Sequence, residues 1–215
     1  MKKLFSVIAI TALALVLAAS CGKKEDPKPK DVKFTITSIE NLPATATKMR
    51  AHWSTNTTVY FSGYIQQANI SDGGFSMTLP ATVENAPNSA YYSIPALLDM
   101  PVNNSLNVSD SKAKGFILCF VSINNSGTPL GLLKDRYIND VHTRSYVEYI
   151  YVDRNVNVSG TSIDVDDWTA TFNLKLKKGW NKVYFQYNGA TETVTYSSTI
   201  PSWMGNNWAF YSFVS

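Results

Sequence analysis

The chain is poor in cysteine, histidine and charge. It has two cysteines in 215 residues, Cys21 and Cys119, so it has no disulfide framework and must draw its stability from a packed core. The two histidines, His52 and His142, lie far apart. Neither has a second histidine or a cysteine at ligand spacing, so zinc is unsupported and both read as surface residues. Charged residues make up 16% of the chain, below the usual share of about 25%. With 45% hydrophobic residues, wholesale disorder is excluded. Long helical periodicity, collagen-like repeats and internal repeats are also missing. There is no Gly-x-Ser-x-Gly elbow and no glycine-rich phosphate loop, so the common signals of serine hydrolases and nucleotide enzymes are absent.

What is present begins with an export signal. Lys2 and Lys3 precede an uncharged, mostly apolar run from Leu4 to Ala19, and small residues then lead to Cys21. This is a secretory signal peptide over residues 1–20, too short to be kept as a membrane span. The stretch Leu17-Ala18-Ala19-Ser20-Cys21 resembles the lipobox of bacterial lipoproteins, with Ala18 where that family more often has leucine. The resemblance implies cleavage before Cys21 and acylation of its thiol and new amine, palmitate among the chains. Two or more acyl chains anchor stably where one is marginal. If Cys21 carries lipid, Cys119 has no partner for a disulfide.

Residues 21–33 then read as the lipidated cysteine and a flexible tether, charged and carrying Pro27 and Pro29. Charged residues just after the cysteine resemble the export signals of surface lipoproteins in some Gram-negative groups. That resemblance implies an outer-membrane protein, lipid-anchored and surface-exposed, with a periplasm-facing position as the alternative. The chain's net charge of +3 belongs to the signal and tether. From Phe34 onward there are 12 basic and 13 acidic residues, which gives no basic footprint for nucleic acid.

Period-two alternation dominates residues 34–215, expected as a single all-β domain. Val32, Phe34 and Ile36 alternate with polar residues, as do Phe75, Met77 and Leu79. From Ser145 to Val152, Tyr146, Glu148 and Ile150 share one face, and Val147, Tyr149 and Tyr151 the other. The cleanest strand places Trp168, Ala170, Phe172, Leu174 and Leu176 on a dry face, which predicts an antiparallel sheet. Lys178-Gly179 and Asn188-Gly189 read as turns into Trp180–Tyr187 and Thr191–Ser197, and Trp208–Val214 is extended. Short helices are expected around Pro95–Met100 and Leu130–Asn139. Roughly nine strands with this spacing predict an antiparallel β-sandwich of immunoglobulin or transthyretin type, with a small lipocalin-like barrel as runner-up. The strand-turn-strand around Leu174–Tyr184, with its tail from Pro201 to Trp208, is similar to segments near the C-terminus of uncharacterised surface lipoproteins.

Candidate sites are few. Cys119 sits in the apolar run Phe116–Val121 and reads as a buried thiol. Asp164, Asp166 and Asp167 offer hard oxygen ligands for Ca²⁺, but lack EF-hand spacing and fit a solvated strand start before Trp168 better. Aromatics are the stronger signal: Tyr91, Tyr92, Trp203 and Trp208 present apolar faces with polar tips, which suit sugar rings or protein partners. Trp208, opening an apolar strand, reads as a plug and Trp203 as exposed. No catalytic residues and no cofactor are expected. The reading is a non-enzymatic binding or adhesion lipoprotein with a glycan or protein ligand. The alternative is a structural, pilus-like assembly subunit.

Overall fold

The structure is a computed structural model and describes residues 28–54, 63–84, 86, 90–98, 105–138, 142–163, 167–205 and 207–213. Among them are fourteen strands and one helical turn. The strands are β1 (Val32–Ile36), β2 (Lys48–Ser54), β3 (Gln66–Asn69), β4 (Phe75–Leu79), β5 (Tyr92–Ser93), β6 (Asn107–Val108) and β7 (Lys114–Ile123). They continue as β8 (Pro129–Ile138), β9 (Thr143–Val152), β10 (Val156–Ile163), β11 (Thr169–Leu176), β12 (Gly179–Asn188), β13 (Thr193–Ser197) and β14 (Trp208–Ser212). The helical turn, α1 (Ile94–Leu97), has Pro95 in its first turn, where a missing N–H costs nothing. No helix among the described residues is long and apolar enough to cross a membrane.

The expected all-β class is what the chain adopts. β1 and β4 form a two-stranded antiparallel ribbon. The other strands form one long sheet ordered β3-β2-β7-β8-β9-β12-β13-β11-β10-β6, with β14 paired to β8 and β5 to β7. Its ends stay open, so the barrel runner-up is not the architecture of the described residues. β1 opens inside the stretch expected to be tether, and the Asp31 carboxylate accepts the Ala81 N–H at 2.7 Å.

Three local expectations are corrected. Leu130–Asn139, expected as helix, falls on β8 up to Ile138. β14 takes one edge of that strand, and β7 and β9 share the other, so ladder pairing on both sides overrides a weak local preference. β11 pairs antiparallel with β10 but parallel with β13, so the sheet is mixed. Lys178-Gly179 does turn the chain, with Gly179 at φ +99°, but it makes no hairpin: β13 lies between β11 and β12. A turn residue reports a change of direction, while the partner of the next strand is chosen by side-chain packing. Asn188-Gly189, by contrast, joins β12 to β13 as a true hairpin.

The clean alternation is borne out. Ala170, Phe172, Leu174 and Leu176 of β11 are buried, and Thr171, Asn173 and Lys175 are exposed. β7 and β9 feed cores on both faces of the sheet. On one face Ile117, Ile150 and Val152 join Val183, Val156, Phe172, Leu174 and Leu176, covered by Ile94 and Leu97 of α1. On the other face Leu118, Phe120, Val147 and Tyr149 meet Phe34, Ile36, Phe75 and Met77 of the ribbon. Buried residues from β7, β9, β10, β11, β12 and β13 share the first core, so the sheet curls around it.

β8 determines where that curl stays open. β7 and β9 pair with each other through Gly115–Ile117 and Ile150–Val152. Beyond that they part, and β8 pairs first with β7 and then with β9. The N-terminal half of β9 therefore runs out past the covered core.

Candidate functional site

On this open half, side chains of the core-facing side line a groove of about 500 Å³, within the range of about 300–1,000 Å³ usual for small-ligand sites. β9 contributes Arg144, Tyr146 and Glu148, one face by alternation. β12 sets Phe185 opposite Tyr146 and Tyr187 opposite Arg144. β13 adds Val194 and Tyr196, β8 adds Lys134, and His142 and Gly189 close one end, where the Gly189 N–H donates to the His142 carbonyl at 2.9 Å.

The aromatic side chains are held by neighbouring rings. Tyr187 stacks on Trp168 at 4.5 Å between centroids with planes 19° apart. Tyr146 tilts against Phe185 at 5.7 Å. Phe185 meets Tyr196 edge-on at 5.1 Å, and Tyr196 stacks on Phe172 at 4.7 Å, so the groove floor is continuous with the core. Pairs of this kind contribute about 0.5–1.5 kcal/mol each beyond their buried area.

Charge sits among these rings. The Lys134 ammonium lies 5.3 Å from the Tyr146 ring centre. Burial pushes the Glu148 carboxyl pKa up, with a smaller opposing pull from Lys134. Cys119 is only partly exposed, and burial pushes its thiol up to about 12, with a smaller opposing pull from Lys134. The thiol form is favoured over the thiolate at neutral pH.

The structure does not bring the sequence-predicted residues into one site. Trp208 is 6% exposed and packs edge-on against Phe120 at 5.6 Å and over Tyr149 at 6.4 Å. It is the plug its strand position indicated, which removes it as a ligand platform. Trp203 is 48% exposed and sits edge-on to Tyr184 at 6.1 Å, and alternation puts Tyr184 on the face opposite the groove. Tyr91 is half-buried; its hydroxyl donates to the Val83 carbonyl at 3.1 Å, and burial pushes its pKa up to about 12. It lines a separate hollow with Lys114, Asp153 and Lys178. Tyr92 points elsewhere, packing against the α1 core.

His52, expected at the surface, is 2% exposed: the β2 alternation is broken there, and four successive residues from Ala51 to Ser54 are buried. Cys21, Asp164 and Asp166 lie outside the described residues. Asp167 is exposed, and no group of three or more metal-ligating side chains occurs among the described residues. Sequence reasoning missed Lys134, Arg144, Tyr187 and Tyr196 as a group. The signals the sequence offered were Tyr146 and Glu148, an aromatic and a carboxylate on one face of a run of strand-formers.

Beneath β8, on the other face, Asp135 is 3% exposed and accepts the Asn207 N–H at 3.1 Å. Burial pushes its carboxyl up to about 6, against the pull of that hydrogen bond and of Lys182. Compared with protein-family models, with curated proteins and with solved structures, the chain matches none of them.

Proposed function

We propose that the chain is a lipid-anchored lipoprotein of the cell envelope that binds a glycan or protein ligand, without catalysis, through the groove over β9, β12 and β13. The observation that carries this reading is the aromatic groove itself, an uncovered continuation of a core-facing sheet surface. Its tyrosines are packed by neighbouring rings, so little side-chain entropy is lost when a ligand seats on them. Two cores on opposite faces of the sheet support a layered sandwich related to the immunoglobulin or transthyretin type, with an added parallel strand pair. The lipid anchor rests on the Ala18-Ala19-Ser20-Cys21 resemblance, and the charged tether favours surface display over a periplasm-facing position.

Two experiments test the reading. Palmitate fed to producing cells should label the wild type and not Cys21→Ala; label retained by the variant removes the anchor. In a glycan and matrix-protein binding screen, Tyr187→Ala should weaken retention of any ligand the wild type holds by about tenfold or more, with melting lowered only by the lost stacking on Trp168. Undiminished retention by the variant moves the site out of the groove. The pilus-like assembly reading draws support from the sheet ends at β3 and β6, whose outer edges have no strand partner among the described residues. An assembly subunit polymerises through such an edge, and a receptor stays monomeric, so the oligomeric state separates the two.

A further inference from the structure

We infer that the groove takes an anionic saccharide, a sugar chain carrying uronate carboxylates or sulfates. This rests on the groove being the ligand site, as proposed above.

Lys134 and Arg144 line the groove, and Arg136 lies one strand over in register with Tyr146. Among the described residues, the ion pairs are those of Arg154 with Asp110 and Asp153, so no carboxylate within ion-pair distance neutralises the groove cations. Among the described residues, Glu148 is the single carboxylate lining the groove, and burial disfavours its charged form. A cationic concavity thus stands on a folded part whose own charges nearly cancel from Phe34 onward. Clefts lined by one sign of charge concentrate ligands of the other. Arginine also offers a planar fork that matches a carboxylate or sulfate with two parallel hydrogen bonds.

A pyranose presents C–H groups on its faces and hydroxyls around its rim. Tyr146 and Tyr187 present apolar ring faces with a polar tip at the edge, the complementary pattern. A volume of about 500 Å³ accommodates a short stretch of such a chain.

Other ligand classes fit the groove less well. β9, β12 and β13 each have a paired strand on both sides, so no free edge lets an acidic peptide add as a strand. The near-neutral charge from Phe34 onward leaves no extended basic track for a nucleic-acid backbone.

The test uses the full chain in detergent, with polygalacturonate (carboxylated), heparin (sulfated) and dextran (neutral) as probes. The wild type is expected to bind one or both acidic polymers and not dextran, and to weaken as salt rises through a few hundred millimolar. Which of the two binds identifies the acidic group. Arg144→Gln is expected to weaken that binding by about tenfold or more, the size of one charge-assisted hydrogen-bonded pair. Arg144 is exposed on a strand, so melting should not change. Tyr187→Ala is expected to weaken it similarly. If dextran binds as well as the acidic polymers and Arg144→Gln has no effect, the anionic inference fails while the groove remains the site. If no saccharide binds and a protein ligand is retained through Tyr187, the saccharide class fails. If nothing is retained through the groove, this inference and the reading beneath it both fail.

Discussion

One strand serves two purposes along the same face. In β9, Ile150 and Val152 point into a core closed by α1, β10 and β11, while Arg144, Tyr146 and Glu148, alternating on that same face, point into an open groove. The backbone is one continuous ladder with β12 from Thr143 to Val152. Only the covering layer differs. Where described residues cover it, the β9 face is aliphatic; where none of them does, the face is aromatic and charged. A side chain's task is thus set by what lies over the sheet, a non-local matter that two-residue periodicity does not encode.

The sharpest break of this comparison is truncation on the covered half. Phe172→Ala should cost about 3–5 kcal/mol in denaturant unfolding, because the site is fully enclosed and leaves a cavity. Tyr187→Ala on the open half should cost about 1 kcal/mol, the worth of its stacking on Trp168. Equal losses would mean the open half is core. Next in size is Gly131→Ala in β8: a Cβ there would stand 2.1 Å from the Tyr211 carbonyl oxygen. The strain should destabilise the chain by about 1–3 kcal/mol or more by pushing β14 away. A melting temperature equal to wild type would show that β14 does not pin β8 against the fork.

A pH titration probes the opposite face. Asp135 has its carboxyl raised from 3.8 to about 6. The folded state then holds a proton that the unfolded state releases, so stability should fall as pH rises between those values. Asp135→Asn should flatten that slope in thermal melts; an unchanged slope would assign it elsewhere. The smallest effect is on the wet face of β11, where Thr171→Ala or Asn173→Ala should stay within about 0.5 kcal/mol in the same unfolding assay.

Legibility in the sequence followed the same division. The β11 alternation, the Asn188-Gly189 hairpin and the opposite exposures of Trp203 and Trp208 were readable because each depends on local pattern. The helical reading of Leu130–Asn139 failed because β8 is held by three other strands, and the parallel β11–β13 pair leaves no trace in either strand alone. Tyr91 and Tyr92 look like a pair in sequence, but Tyr91, just before β5, lines a hollow while Tyr92, in β5, packs against the α1 core. The groove draws on four strands, so Lys134 and Tyr196 could be grouped only once their register was known.

The most direct measurement is amide chemical-shift mapping on the isotope-labelled full chain while polygalacturonate or heparin is added. The account predicts shifts at Arg144, Tyr146, Glu148, Phe185, Tyr187 and Tyr196, with Ile150 and Val152 of the covered half nearly still. Shifts centred on Trp203 or on the hollow beside Tyr91, with the β9–β12 groove silent, would contradict it.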